Sequence, residues 1–276
     1  MLSALSAKIE RLLLLLPFMR RTLDAEPATR SAREARRDQA LALLWGALCH
    51  TLFAAAVGAM IWAMWWGMSR SLGTVPQPWS WLANILLLLQ FPLLHSVLLT
   101  PLGRRLVARL GPPGRGVTLA TTTFTIIASL QLLALFLFWT PTGVVWWRAE
   151  GALLWILTAL YASCFLLLMK ANWDAGPEVQ SGLLGWAALL RGVRPVFPPL
   201  PVGGIYRFLR HPIYLAFALT TWTVPTWTPD QLLLASVLTA YCALGPRLKE
   251  RRLAERFGDA WQAYRARTPF WLPRIR

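Results

Sequence analysis

Acidic residues are scarce in this sequence: 12 Asp and Glu among 276 residues, against 28 Lys and Arg, for a net charge of +16. Charge of either sign is thin at 14% of the chain, while 56% is hydrophobic. A soluble nucleic-acid binder this basic is not normally this apolar, so that class is excluded and no nucleic-acid partner is expected. The same apolar content excludes a disordered basic tail. Cysteine is rare too. Cys49, Cys164 and Cys242 form an odd set without metal-ligand spacing, all in apolar stretches, so they read as buried thiols with no metal site. There is no Gly-rich phosphate loop, no HExxH and no GxSxG. A signal peptide is also missing: the run Leu12 to Phe18 is short, lies between Arg11 and Arg20, and has no small-residue cleavage site. An amphipathic helix on the membrane surface fits it better. What remains is a polytopic membrane protein with its arginines in the loops.

A transmembrane helix needs about 20 largely apolar residues. Stretches near 41–67, 81–100, 118–139 and 152–170 meet that length. Two shorter runs, 212–227 and 231–246, flank Thr228-Pro229-Asp230-Gln231, which reads as Thr N-cap, Pro at the first helical position and Gln closing a capping box. They form a helical hairpin. The fold class is therefore all-α, with about six transmembrane helices, an N-terminal surface helix and a C-terminal amphipathic helix. The chain divides into a basic segment (1–40), four spans (41–171) and a region (172–276) holding a long loop, the hairpin and the last helix. The loop 172–204, rich in Pro and Gly, is expected to be an irregular ordered lid. Of the 28 cations, 26 fall on one side of these spans and only Arg70 and Arg148 on the other, which places both termini in the cytoplasm. Nine tryptophans (Trp62, Trp65, Trp66, Trp79, Trp81, Trp139, Trp146, Trp147 and Trp227) mark the opposite boundary as an aromatic belt.

Ionisable residues inside the spans are functional candidates by default. Of the two, His50 is read as one hydrogen bond between helices; His95, near the cytoplasmic end of its span, could face a cavity, although a structural hydrogen bond explains it as well. The dense cluster is Tyr206-Arg207-Phe208-Leu209-Arg210-His211-Pro212-Ile213-Tyr214. Pro212 suits a helix first turn, which puts His211 at its N-terminal edge beside free backbone N–H groups. Arg207 and Arg210 would complete an anion site there, or would only anchor lipid headgroups. On the far arm stand Tyr241, Gly245-Pro246, read as a kink, and Glu250, the one acid in the stretch 247–252. Glu250 could neutralise its neighbours or accept hydrogen bonds from ligand hydroxyls. Beyond it Leu253, Phe257, Trp261 and Tyr264 recur at helical spacing, an apolar stripe.

These motifs carry a resemblance. Gly204 to Tyr214, the short hairpin, Leu248-Lys-Glu-Arg-Arg-Leu253, Phe257-Gly-Asp-Ala-Trp-Gln-Ala-Tyr264 and the final Pro-Phe-Trp-Leu-Pro resemble the integral-membrane methyltransferases of the isoprenylcysteine carboxyl methyltransferase superfamily. Within it they look like the bacterial branch of methanethiol S-methyltransferases and NnrU-like proteins. His95-Ser96-Val97 and Asn172-Trp173-Asp174 look like further elements of that branch. The chain departs from the family at Lys249-Glu250, where a Glu-Glu pair is usual. The resemblance implies S-adenosylmethionine bound at the cytoplasmic face by Tyr206, Arg210, His211, Pro212, Tyr214, Tyr241 and Glu250. It implies His211 and Arg207 as catalytic residues, and His95, Trp173 and Asp174 as substrate contacts. The membrane would be a bacterial inner membrane and the acceptor a small thiol or another lipophilic nucleophile. A lipid amine, a prenylated or quinone-like lipid, or a non-enzymatic membrane protein that keeps the fold are the alternatives.

Overall fold

The computed structural model describes residues 2–271. Helix α1 is Leu2–Leu14; a 3-10 turn, Pro17–Met19, leads to α2, Arg20–Leu23. Then follow α3 (Ala32–Trp65), α4 (Trp79–Leu98), α5 (Pro101–Leu110), α6 (Ala120–Phe138), strand β1 (Trp147–Arg148) and α7 (Gly151–Asp174). The last third holds α8 (Pro177–Gln180), α9 (Leu183–Arg191), a 3-10 turn at Gly204–Arg207, α10 (Pro212–Trp222), strand β2 (Thr226–Trp227) and α11 (Pro229–Arg267). Helices α3, α4, α6, α7 and α11 are long and apolar enough to cross a membrane, and α10 is a sixth, shorter apolar helix. The protein is an all-α polytopic membrane protein.

Helix α3 opens on a reciprocal capping box: the Ser31 hydroxyl accepts the Glu34 N–H at 3.3 Å, and Glu34 accepts the Ser31 N–H at 3.0 Å. The Ser-x-x-Glu spacing was there to be read. At 1.5 Å per residue its 34 residues reach about 51 Å, well beyond a ~30 Å hydrocarbon core, so the charged first turns stand outside the apolar part.

The residues form two compact units. One comprises 1–57, 93–133 and 176–199. Its centre is α9, a helix inside the stretch expected to be irregular. Seven consecutive residues of α9, Leu184 to Leu190, are buried. A nine-residue apolar run among prolines is too short to read as a span, yet it can be a core helix. Leu13, Met19 and Leu23 pack with Trp186, Ala187, Leu189 and Leu190 in one cluster. The N-terminal segment, expected as a surface helix, packs one side into this core and leaves Leu5, Leu12 and Leu15 exposed. Thr22 bonds both ways with the Val196 backbone, at 3.2 and 3.1 Å. Arg30 reaches the carbonyls of Leu189 and Arg191 at the C-terminal end of α9, and its ion pair with Asp38 is shared by Arg115 at 2.7 Å. Gly192, with φ +78, leaves the room that Arg30 fills.

The other unit comprises 58–92, 134–175 and 200–276. Here α10 packs against α7 and α11. The hairpin turn is built as the sequence suggests at its first residue: Thr228 caps α11 by accepting the Gln231 N–H at 2.9 Å, and its hydroxyl donates to the Gly67 carbonyl. The capping box does not close, because the Gln231 side chain donates to the Thr221 carbonyl at 2.7 Å instead. Asp230 accepts from Trp139 Nε1 at 2.9 Å and from the Thr142 hydroxyl at 2.6 Å. Trp139 is therefore a fully buried core residue rather than a belt anchor, whereas Trp62, Trp79, Trp81 and Trp146 are exposed as anchors should be. Trp147 pairs with Trp227 across β1 and β2. The arms are unequal: α10 has 11 residues, while α11 runs through Gly245-Pro246 and first leaves helical angles at Gly258 (φ 49, ψ −124). Gly245-Pro246 lies within the helix, and the departure from helical angles comes 12 residues after Pro246, where glycine tolerates a positive φ.

Candidate active site

The site grows from the turn before α10. Gly204 has φ +56, and a Cβ there would collide with the Asp174 carboxylate. Its absence lets Asp174 accept the Ile205 N–H at 2.8 Å while ion-pairing with Lys170. Asp174 positions the turn by backbone capture, and its neighbour Trp173 is exposed. Tyr206 follows, buried, with its carbonyl accepting the Tyr264 hydroxyl at 2.7 Å. Its own hydroxyl is buried without a partner, and burial pushes that phenol up. Arg207 stands exposed, its guanidinium 4.7 Å from the Phe208 ring centre.

Arg210 is not available as a free anion receptor. Its Nε donates to Glu250 Oε1 at 2.9 Å, and its Nη1 to the carbonyls of Arg265 at 2.9 Å and Thr268 at 2.8 Å. Its backbone N–H donates to the Pro269 carbonyl. The chain end is thereby strapped over the start of α10, which seats Phe270 against His211, ring centres 4.7 Å apart. Sequence reading missed these partners because they are mostly backbone carbonyls, which carry no residue signature.

His211 is the N-cap residue of α10, with Pro212 in the first turn, and is 1% exposed. Its Nε2 lies 2.8 Å from Glu250 Oε1. A carboxylate accepts, so Nε2 carries the proton. Burial lowers the imidazole pKa to about 4, outweighing the Glu250 hydrogen bond that raises it; the charges of Lys249 and Arg210 push the same way as burial. The ring is neutral near pH 7, and its Nδ1, buried and without a partner, keeps a bare lone pair. Glu250 joins Arg210 to His211 and lies 3.8 Å from Arg265 Nε.

An aromatic wall continues from this histidine. Tyr214 meets His211 edge-on at 6.0 Å, Tyr241 lies 6.3 Å from Tyr214, and Phe91 6.5 Å from Tyr241. Gly245 makes the room: a Cβ there would come within 3.3 Å of both tyrosine rings. The Lys249 ammonium is 5.7 Å from the Tyr214 ring centre. Tyr206, Arg210, His211, Pro212, Tyr214, Tyr241 and Glu250 thus belong to one unit. His95 belongs to the other, its ring 5.0 Å from Phe124. In that unit His50 makes the expected interhelical bond, accepting from Trp186 Nε1 at 3.0 Å. The open groove of about 610 Å³ beside it, lined by Ile9, Leu43, Ala47 and Thr51 among others, brings His50 no second titratable group.

A sequence profile for the NnrU protein family matches residues 83–275, most of the chain and all of this cluster. The chain belongs to the NnrU protein family. Methanethiol S-methyltransferase 2 of Bradyrhizobium diazoefficiens is 30% identical over 194 residues, covering 70% of this chain and 73% of that one. Methanethiol S-methyltransferase of Pseudomonas deceptionensis is 26% identical over 200 residues, covering 72% and 75%. Nurim of Xenopus laevis is 31% identical over 149 residues, 47% of this chain and 49% of that one. By this kinship the NnrU-family chain is a membrane methyltransferase, as the sequence motifs implied. No solved structure matches it.

Two buried polar atoms without partners, His211 Nδ1 and the Tyr206 hydroxyl, stand in one unit with the wall of π faces, and this chemistry suits a cationic methyl donor that also carries hydrogen-bonding groups. Residues and group fit.

Proposed function

We propose that this chain transfers a methyl group from S-adenosylmethionine to a small thiol, at the cytoplasmic face of a bacterial inner membrane. The observation that carries the reading is the neutral, carboxylate-held His211 with its bare Nδ1 beside the tyrosine wall. S-adenosylmethionine, when bound, supplies an electrophilic methyl on a sulfonium sulfur. The π faces of Tyr214 and Tyr241 favour that positive charge. Glu250 fixes the His211 tautomer and ring orientation. His211 Nδ1 takes the thiol proton, leaving the sulfur as a thiolate nucleophile for an in-line displacement. Phe270 and the Arg210-held strap exclude water from the imidazole. Arg207 is exposed beside the Phe208 ring, and this scheme assigns it no step. The sulfur acceptor follows from the relatives' names.

The test uses detergent-purified protein. S-adenosylhomocysteine is expected to raise its thermal midpoint. Methyl label from the donor is expected in a volatile thioether when methanethiol is offered beside membrane lipid extract. Label in the lipid fraction instead would replace the thiol by a lipid acceptor, and absence of any stabilisation by S-adenosylhomocysteine would overturn the enzyme reading.

A further inference from the structure

The ion network at Glu250 leaves a question of charge. Arg210 and Glu250 are committed to each other, to His211 and to backbone carbonyls. Two other cations close by are not so committed. Lys249 and Arg252 stand three residues apart on α11, one turn, hence on the same side of the helix. Among the described residues neither has a carboxylate within ion-pair distance. They interact electrostatically with each other, Lys249 also with His211, and Arg252 with Tyr214. Their surroundings separate them from the other cations of this stretch. Arg247 and Arg251 are exposed, as headgroup contacts should be, whereas Lys249 and Arg252 are half-buried. Like charges at this spacing destabilise a helix unless something neutralises them, and partial burial sharpens that repulsion. Among the described residues no carboxylate pairs with either of them, which leaves the place open to an anion from outside. Its place is set by the ammonium on the Tyr214 ring, which itself abuts His211.

We propose that Lys249 and Arg252 form an anion-binding pole that holds the carboxylate of the methyl donor, where the sequence placed an anion site at Arg207 and Arg210. The inference rests on the S-adenosylmethionine reading above. It goes further by moving the anion-recognising residues from the α10 turn to α11. It also gives a function to Lys249.

The experiment measures affinity by calorimetry for two ligands on the purified full-length chain. One is S-adenosylhomocysteine; the other is its decarboxylated analogue, which lacks only the carboxylate. The native protein is expected to prefer the first by about 10- to 100-fold, the range of a charge-assisted contact. The double variant Lys249→Met, Arg252→Met is expected to bring that ratio to near one while binding the analogue as tightly as the native chain does. That unchanged affinity shows the variant to be folded. A native ratio near one, or a ratio the variant leaves unchanged, overturns the pole. So does a variant whose only loss is affinity for phosphatidylglycerol vesicles, since that marks a lipid headgroup contact. If the native chain binds neither nucleoside, the donor reading itself fails. If it binds both and the variants behave like it, the pole alone fails.

Discussion

At His211 the deciding fact is which nitrogen bears the proton. The Glu250 carboxylate takes Nε2–H at 2.8 Å, and Nδ1 is left as an acceptor in a buried place. Replacing His211 by Ala removes the base and is expected to lower turnover about 100-fold or more, the usual scale of general-base loss. Single-turnover methyl transfer with the methyl donor saturating checks it, and unchanged turnover would return His211 to a structural role. The depressed pKa has a second consequence. The unfolded imidazole titrates near 6.5 and the folded one near about 4, so between those values the unfolded state binds the extra proton. The stabilising effect of a neutral His211 is whole above about pH 6.5 and is lost as pH falls towards about 4. The thermal midpoint of the native protein should therefore drop more steeply over that window than that of His211→Asn, which has no proton to gain. Parallel curves would show that the ring is not neutral in the fold. Of this cluster the sequence suggested several members but none of the bonds. His211 and Glu250 were legible as charge at two hairpin ends. Arg210 looked like a free cation because its partners are the carbonyls of Arg265 and Thr268, invisible to any residue pattern.

Among the elements, those set by local chemistry were legible and those set by distant packing were not. The spans follow from length and hydropathy alone. The Thr228 cap follows from a side chain reaching three residues along its own helix, and it is present. The Gln231 half of that motif fails because the Thr221 carbonyl at the end of α10 competes for its amide. Helix α9 was hidden for a similar reason: nine residues carry too little periodic signal, and its burial depends on α1 and α2, far away in sequence. Two expectations belong here. Thr228→Ala removes both the cap and the donor to the Gly67 carbonyl, a loss of about 2 kcal/mol. A lowered midpoint in detergent, restored by Thr228→Ser, checks it. Deleting residues 1–31 strips Leu13, Met19 and Leu23 from the α9 cluster and leaves Asp38 without Arg30. The shortened chain is expected to insert but to aggregate on extraction, seen as loss of the monodisperse peak in size-exclusion chromatography. A stable, monodisperse product would make the segment peripheral after all.

For the whole molecule, the sequence's shortage of acids becomes a statement about direction. In the expected order of spans, 26 of the 28 cations fall on the side assigned to both termini. Some of those have structural work: Arg30 and Arg115 on Asp38, Arg191 on Glu10, Arg210 on Glu250. Removing all of these still leaves the asymmetry large, because the opposite side has only Arg70 and Arg148. Those two are themselves tethered, their guanidinium carbons 3.7 and 4.9 Å from the centre of the Trp66 ring. Cations stacked on an indole at a membrane boundary sit comfortably there and do not argue for retention in the cytoplasm. Orientation then rests on the many rather than the few. A green fluorescent protein fused after Arg276 should fluoresce and alkaline phosphatase at the same point should be inactive, while phosphatase inserted at Gly143 should be active. The reverse pattern would put His211 and Glu250 on the side away from cytoplasmic S-adenosylmethionine, and the orientation and the proposed chemistry would fall together.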